Sequence, residues 1–276
     1  MALAMALAPR LGATAHAAYV HPLGESERAV SDPLYRNALD ELASFVRVHM
    51  RERDAPLDKS PLTVIGERSP ARGLAHEARR GQSPLITLGA SHRSQLGRAF
   101  FGGTAERLLS GSPCPVAVAP KGYANHVSRL GTIGCAFDGS AEARPALGWA
   151  KALARAARCN LRILTVHKPQ LAVIPAYHGV PMVASDEAVE RELGRRLAVA
   201  VREVEADGVA VEGAMLEGRP VSLLQEQSSD LDLLVTGSRG YGPSRAALLG
   251  SVSRSLVRNA SCPVVVMPRD NNDERS

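Results

Sequence analysis

The amino-acid sequence predicts an α/β protein built from two doubly wound parallel sheets with helices on both faces. Three observations predict it. Strand-length apolar runs alternate with amphipathic helical runs through the second half of the chain. The chain also repeats itself: Gly89 and Gly237, Gly102 and Gly250, Cys114 and Cys262, and Pro120 and Pro268 are each 148 positions apart. Four matches in one register mark a duplication. Finally, 276 residues suffice for two units at a soft prior of about 150 each, and each unit is large enough to bury its own core.

The second half carries the full order of elements. The run TIGCAFD, Thr132 to Asp138, reads as a first strand. A Gly139-Ser140 turn then leads into a helix through Ala157, with apolar positions Ala146, Leu147, Ala150, Leu153 and Ala154 at helical spacing. Leu161 to Val166 is a second strand, and a loop with Pro169, Pro175 and Pro181 leads to a long helix from about Ala184 to Ala206. Val209 to Leu216 is a third strand. Gly218-Arg219-Pro220 opens another helix with proline in its first turn, where the missing N–H does least harm. Leu231 to Thr236 is strand four; after a glycine-rich loop, a helix from Val252 to Ala260 leads to a last strand within Cys262 to Met267.

The glycine-rich loop, GSRGYGPSRAALLGS, places Gly237, Gly240, Gly250 and Ser251 between a buried-type strand and a helix. Glycines there let backbone N–H groups converge on an anion, and the helix N-terminus adds unpaired donors and partial positive charge. Asp138 stands at the carboxyl end of the first strand, where ligands of doubly wound sheets bind. An acidic side chain there accepts from a ribose hydroxyl while the loop holds phosphates. Alone, Asp138-Gly139-Ser140 reads equally well as a turn and helix cap; together with the loop it describes a nucleotide site.

These residues resemble the universal stress protein family in its tandem two-domain form. The resemblance rests on GCAFDGSAEARPALGWA near the start of the second half, on the G-2x-G-9x-G-[ST] signature at Gly237 to Ser251, and on the ending SCPVVVMPR. It implies a five-stranded sheet in the order 3-2-1-4-5 in each half and, for members keeping the signature, binding of ATP, with an accompanying Mg2+, and little or no catalysis. By position, Asp138 would contact the ribose or adenine side and Val166 would meet adenine through its backbone. Gly237, Gly240, Gly250, Ser251, Val252 and Ser253 would surround the phosphates and ribose, with Arg239 close by. In the same family the final strands pair between domains, so Val116 and Val264 are expected in one seam, alongside the possibility of a homodimer. The expected domain limits are 1–120, a linker at 121–130, a complete domain at 131–269 and a disordered tail at 270–276.

The first half departs from this pattern. Ala6-Leu7-Ala8 through Val20-His21 matches Ala152-Leu153-Ala154 through Val166-His167 at an offset of 146. Met1 therefore aligns with Leu147, and nothing corresponds to the first strand and its aspartate. Lacking this strand would leave backbone groups unpaired in the middle of the first sheet, which suggests a chain begun too late or a rearranged half. His92 stands where the cradle has Gly240, and Gly103 replaces the Ser251 hydroxyl. One competent site, in the second half, is the expectation. His92 reads as drift in a degenerate loop, and His21 and His167 as strand-terminal residues.

Composition narrows the function classes. A net charge of +5 is spread along helices, which suits solvated faces and mildly favours anionic ligands. Aromatic residues make up 4%, too few for base-stacking platforms, so no nucleic-acid partner is expected. No run reaches the roughly 18 apolar residues of a spanning helix, and the opening MALAMALAPRLGATAHAAYV reads as helix then strand, not as a signal peptide. The four cysteines form no CxxC pair and read as buried thiols in a reducing cytoplasm. Nothing assembles a Ser-His-Asp set, a Walker lysine or paired carboxylates, so any ATP hydrolysis is expected to be slow. Three readings stand: an ATP-binding stress-response module acting on an unidentified regulatory partner, a slow ATP hydrolase or related adenine-nucleotide enzyme, and an interaction scaffold.

Overall fold

The computed structural model describes residues 2–21, 37, 40, 41, 44, 62–89, 103–123, 130–169, 172–174, 182–184, 186–238 and 250–268. The chain divides into two compact units, Met1–Arg129 and Leu130–Ser276. The linker residues 124–129 and the tail 270–276 lie outside the described residues, as do His92, Arg239 and Gly240.

In the second unit the strands are β5 (Thr132–Ala136), β6 (Asn160–His167), β9 (Val211–Glu217), β10 (Leu233–Thr236) and β11 (Val264–Val266). They run in the order β9-β6-β5-β10-β11, every pair parallel. The first-made strand is therefore central, with the second and third on one side and the fourth and fifth on the other. Burial follows this order. Ile133, Cys135, Leu161, Ile163, Leu233, Leu234 and Val235 are fully enclosed, as inner strands of a parallel sheet covered on both faces must be, whereas β9 is half exposed along its length.

Helix α4 (Arg144–Ala157) buries Ala146, Leu147, Ala150, Leu153 and Ala154, the same five positions that the spacing picked out. Pro145 lies in its first turn, and Arg158 in the left-handed region closes it. Helix α5 (Glu187–Ala206) packs beside α4, and the pairs Arg144–Glu203 and Lys151–Asp207 join the two. Helix α6 (Pro220–Gln227) begins on the proline the sequence marked. Helix α7 (Ser251–Asn259) starts at the end of the glycine-rich loop and buries Ser253 and Leu256.

Two elements differ from expectation. The proline-containing segment after β6 holds a small antiparallel pair, β7 (Ala172–Ile174) with β8 (Met182–Ala184). The long helix accordingly starts at Glu187 and not near Ala184. Three-residue strands carry no periodicity to read, and the helix begins after Asp186, whose carbonyl accepts from the amides of Val189 and Glu190.

At the opposite end of the sheet, Asp232 ties the starts of two neighbouring strands together. Its Oδ2 accepts from the amides of Gly131 at 2.7 Å and Thr132 at 2.8 Å, donors that would otherwise be left over where β5 enters the sheet. Asp232→Ala is expected to lower stability by about 1–3 kcal/mol, read from the urea midpoint, with Asp232→Asn recovering part of the loss because its side-chain oxygen still accepts.

The first unit contains α1 (Ala2–Leu7), β1 (Ala17–His21), β2 (Leu62–Gly66), α2 (Pro70–Arg80), β3 (Ile86–Gly89), α3 (Gly103–Gly111) and β4 (Val116–Ala119). Strand β1 pairs in parallel with β2, and β3 pairs in parallel with β4. By the repeat, β1 corresponds to β6 and β3 to β10, so the counterpart of β5 would lie between them. Among the described residues no strand joins β1 to β3. The consequence shows in burial: Tyr19 is 37% exposed, whereas Thr165, its counterpart in β6, is 1% exposed.

Candidate functional site

The carboxyl ends of β5, β6 and β10 meet at one edge of the second sheet, and three local devices shape that edge. The first is the turn after β5. The Ser140 amide donates to Asp138 Oδ1 at 3.0 Å, and Ser140 Oγ accepts from the Ala143 amide at 3.2 Å. The turn-and-cap reading of Asp138-Gly139-Ser140 therefore holds, but it consumes only one carboxylate oxygen. Asp138 Oδ2 has no hydrogen-bond partner among the described residues. Gly139 adopts φ +76°, and a Cβ built there would collide with Arg196 Cδ, so glycine is required on both counts.

Arg196 reaches this turn from α5, its Nη1 donating to the Gly139 carbonyl at 3.4 Å. Glu192 holds it in place, accepting from Arg196 Nε at 2.7 Å while also pairing with Arg195. Hydrogen bonds from Arg195 and then Arg196 hold the Glu192 carboxyl down at about 2. A carboxyl depressed in the folded state stabilises fully above its unfolded value near 4.5 and loses that contribution as pH falls toward 2. An NMR pH titration of the Glu192 side chain is expected to show a midpoint near pH 2, moving back toward 4.5 in the Arg195→Gln/Arg196→Gln double variant.

The second device is the end of β6. Thr165, buried, donates its hydroxyl to the Phe137 carbonyl at 2.8 Å. The Phe137 amide donates to Leu164 O at 2.9 Å, the last backbone-to-backbone bond between these two segments among the described residues. Backbone groups alternate sides along a strand, so Val166, two residues beyond Leu164, directs its amide and carbonyl to the same side, past the end of the ladder. His167 is buried, with Nε2 3.0 Å from Asp186 Oδ2, and its carbonyl accepts from Gly218 N at 2.8 Å. Asp186 makes no side-chain cap to α5; its carboxylate turns to the histidine. His167 is thus a packed, partnered strand-end residue.

The third device is the root of the glycine-rich loop. Gly250 N donates to Ser238 O at 2.7 Å, closing the two ends of the loop on each other. Gly250 is the N-cap of α7 and has no side chain to cap it, so the first amides of the helix are left for another acceptor. Ser251 is exposed and Val252 half-buried. Ser253 differs from expectation: it is 2% exposed, and its hydroxyl donates to the Gly237 carbonyl at 2.7 Å.

Of the residues expected at the site, Asp138, Val166 and Gly237 fall on these three adjacent strand ends, and Gly250, Ser251, Val252 and Ser253 form the start of α7, tied to the end of β10 through Gly250 N and Ser238 O. Sequence reading missed Thr165, Arg196 and Ser238. Thr165 carried a faint signal as a hydroxyl inside an apolar strand; Arg196 carried none, since one basic residue on a charged helix face looks like its neighbours.

The thiols take no part. Burial, reinforced by the nearby Asp138 charge, pushes Cys135 up to about 12, and burial does the same for Cys262. Both are protonated at neutral pH and poor as nucleophiles or metal ligands. Among the described residues no group of three or more His, Cys, Asp or Glu could hold a metal ion, and no helix is long and apolar enough to cross a membrane.

A model of the universal stress protein family matches residues 1–120 and 130–268. A universal stress protein of Thermus aquaticus is 35% identical over 139 residues, 49% of this chain and 97% of the relative. One from Mycobacterium tuberculosis (strain ATCC 25618 / H37Rv) is 26% identical over 210 residues, 73% of this chain and 70% of the relative. Among solved structures, a universal stress protein from Archaeoglobus fulgidus DSM 4304 superposes with a TM-score of 0.64 at 20% identity, covering 97% of this chain and 93% of that one. At that identity the likeness speaks for the fold.

Proposed function

Because this chain belongs to the universal stress protein family in its tandem two-domain form, we propose that it is an ATP-binding stress-response module whose competent site lies in the second unit. The observation that carries the reading is the convergence at one sheet edge of an acidic side chain, Asp138, whose Oδ2 is unpaired among the described residues, and a helix N-terminus without a side-chain cap, that of α7. The carboxylate suits a ribose hydroxyl, the backbone of Val166 beyond the end of the ladder suits the adenine edge, and the helix amides suit phosphate oxygens. The family resemblance would add Arg239 and Gly240, which lie outside the described residues, to the phosphate side. An accompanying Mg2+ would ride on the phosphates, since the protein supplies no carboxylate cluster among its described residues.

The same arrangement argues for a bound state rather than turnover. Among the described residues the histidine at the end of β6, His167, is spent on Asp186, and the buried Cys135 and Cys262 are protonated. Asp138→Ala is expected to weaken ATP binding by about tenfold or more, the worth of a charge-assisted hydrogen bond. Phosphate release from wild type under saturating ATP should stay near the buffer rate. Calorimetric titration and a phosphate-release assay check the two halves of this reading; unchanged affinity in Asp138→Ala, or turnover well above background, contradicts it.

A further inference from the structure

The turn that carries Asp138 is held by a side chain from a distant helix. Arg196 Nη1, on α5, donates to the Gly139 carbonyl at 3.4 Å, and the amide of the same peptide unit, that of Ser140, donates to Asp138 Oδ1 at 3.0 Å. This peptide is trans, so its carbonyl and its N–H point in opposite directions. A guanidinium fixed on the carbonyl side therefore aims the N–H at the carboxylate on the other side. Because the donor is charged, it also polarises the peptide and strengthens that N–H as a donor. Oδ1 is thereby kept in the turn, and Oδ2 is the oxygen that is unpaired among the described residues.

The bond to the carbonyl is long, and packing supplies the tighter constraint. A Cβ built at Gly139 would collide with Arg196 Cδ and lie 3.1 Å and 3.3 Å from Arg196 Cβ and Cγ, so the aliphatic stem lies against the turn at its glycine. The far end of the side chain is braced as well. Arg196 Nε donates to Glu192 Oε1 at 2.7 Å, and Arg195 grips both Glu192 oxygens at 2.8 Å. Residues three and four apart on a helix face meet in this way, and holding the guanidinium from its own helix lowers the entropy lost on fixing it over the turn. The Arg196 side chain is 36% exposed, so replacing it does not open the core.

We infer that Arg196 is a positioning residue for the carboxylate at the end of β5: it sets the Gly139–Ser140 peptide, the peptide N–H sets Asp138 Oδ1, and Oδ2 is thereby presented to a ribose hydroxyl. Glu192 and Arg195 brace the guanidinium, which makes α5 part of the site without touching the ligand. The inference rests on the nucleotide reading above for the identity of the hydroxyl as a ribose's; the placement of the carboxylate by Arg196 rests on the turn and the helix alone.

Titration calorimetry of the full chain with ATP and with dideoxy-ATP, which lacks both ribose hydroxyls, tests it, together with amide NMR of the ligand-free protein. Arg196→Met keeps an unbranched stem and removes the guanidinium. It is expected to weaken ATP binding about fivefold and dideoxy-ATP binding less than about twofold, and to move the Ser140 amide resonance. Arg196→Lys, which keeps the stem, the charge and a donor, should recover part of the ATP loss. In the Asp138→Ala background, where no carboxylate is left to place, Arg196→Met should change ATP affinity by less than about twofold. A general weakening of the fold would cost both nucleotides alike and persist in that background. Equal losses for ATP and dideoxy-ATP, an unchanged ATP affinity in Arg196→Met, or an unmoved Ser140 amide overturns the inference. A wild type that binds neither nucleotide sinks the reading of the site as an ATP site, and the ligand-free Ser140 amide then decides the placement of the carboxylate by itself.

Discussion

Gly250→Asp is expected to weaken ATP binding by at least about a hundredfold while leaving the fold at least as stable as wild type. The two effects separate because one position serves two roles. Gly250 sits at the N-cap of α7 with φ −62° and ψ 148°, a conformation open to any L residue. Aspartate is among the best N-cap residues, and its charge is favourable at a helix N-terminus. It also fills the helix start with the protein's own carboxylate and sets a negative charge against the phosphates; two like charges about 4 Å apart at an effective dielectric near 20 repel by about 4 kcal/mol. Calorimetry with ATP and a thermal melt of the same preparation read both. A variant that still binds ATP at wild-type strength would remove α7 from the phosphate site.

The largest loss of stability is expected from Leu234→Ala, about 2–5 kcal/mol. Leu234 is fully buried in β10, the strand between β5 and β11 that also delivers the glycine-rich loop. Removing its isobutyl group leaves a void with close-packed walls on both sheet faces, where little can collapse. Urea unfolding followed by far-UV circular dichroism should show an earlier midpoint for the second unit. A loss below about 1 kcal/mol would mean that the site relaxes around the smaller side chain.

Local pattern made much of the second unit legible. The five buried positions of α4 follow from helical spacing, and Pro220 marks the start of α6, because these features depend on residues a few positions apart. The duplication likewise identified which first-unit strand matches which, and among the described residues no strand joins β1 to β3, where the unmatched first strand would lie. What sequence could not show depends on contacts distant along the chain. Asp232 reads as a polar residue in a strand-like run until its carboxylate is found on amides a hundred positions earlier. The strands Ala172–Ile174 and Met182–Ala184 are too short to carry a period.

At the site, residue types were legible and hydroxyl directions were not. Ser251 and Ser253 look alike in the signature, yet one is exposed and the other is turned inward onto Gly237. Ser238 lies between a glycine and an arginine with nothing to mark it; its burial and the bond its carbonyl accepts from Gly250 appear only in the structure. Asp138 is the converse case, since the sequence placed it at the strand end and the structure adds that one oxygen is taken by the turn and the other is unpaired among the described residues.

The most direct test of the ATP-binding reading is the stoichiometry of ATP on the full chain by isothermal titration calorimetry, with wild type and Gly250→Asp side by side. One site per chain in wild type, absent in the variant, is the predicted result. No binding in wild type, or two equivalent sites of which both survive in Gly250→Asp, would contradict it.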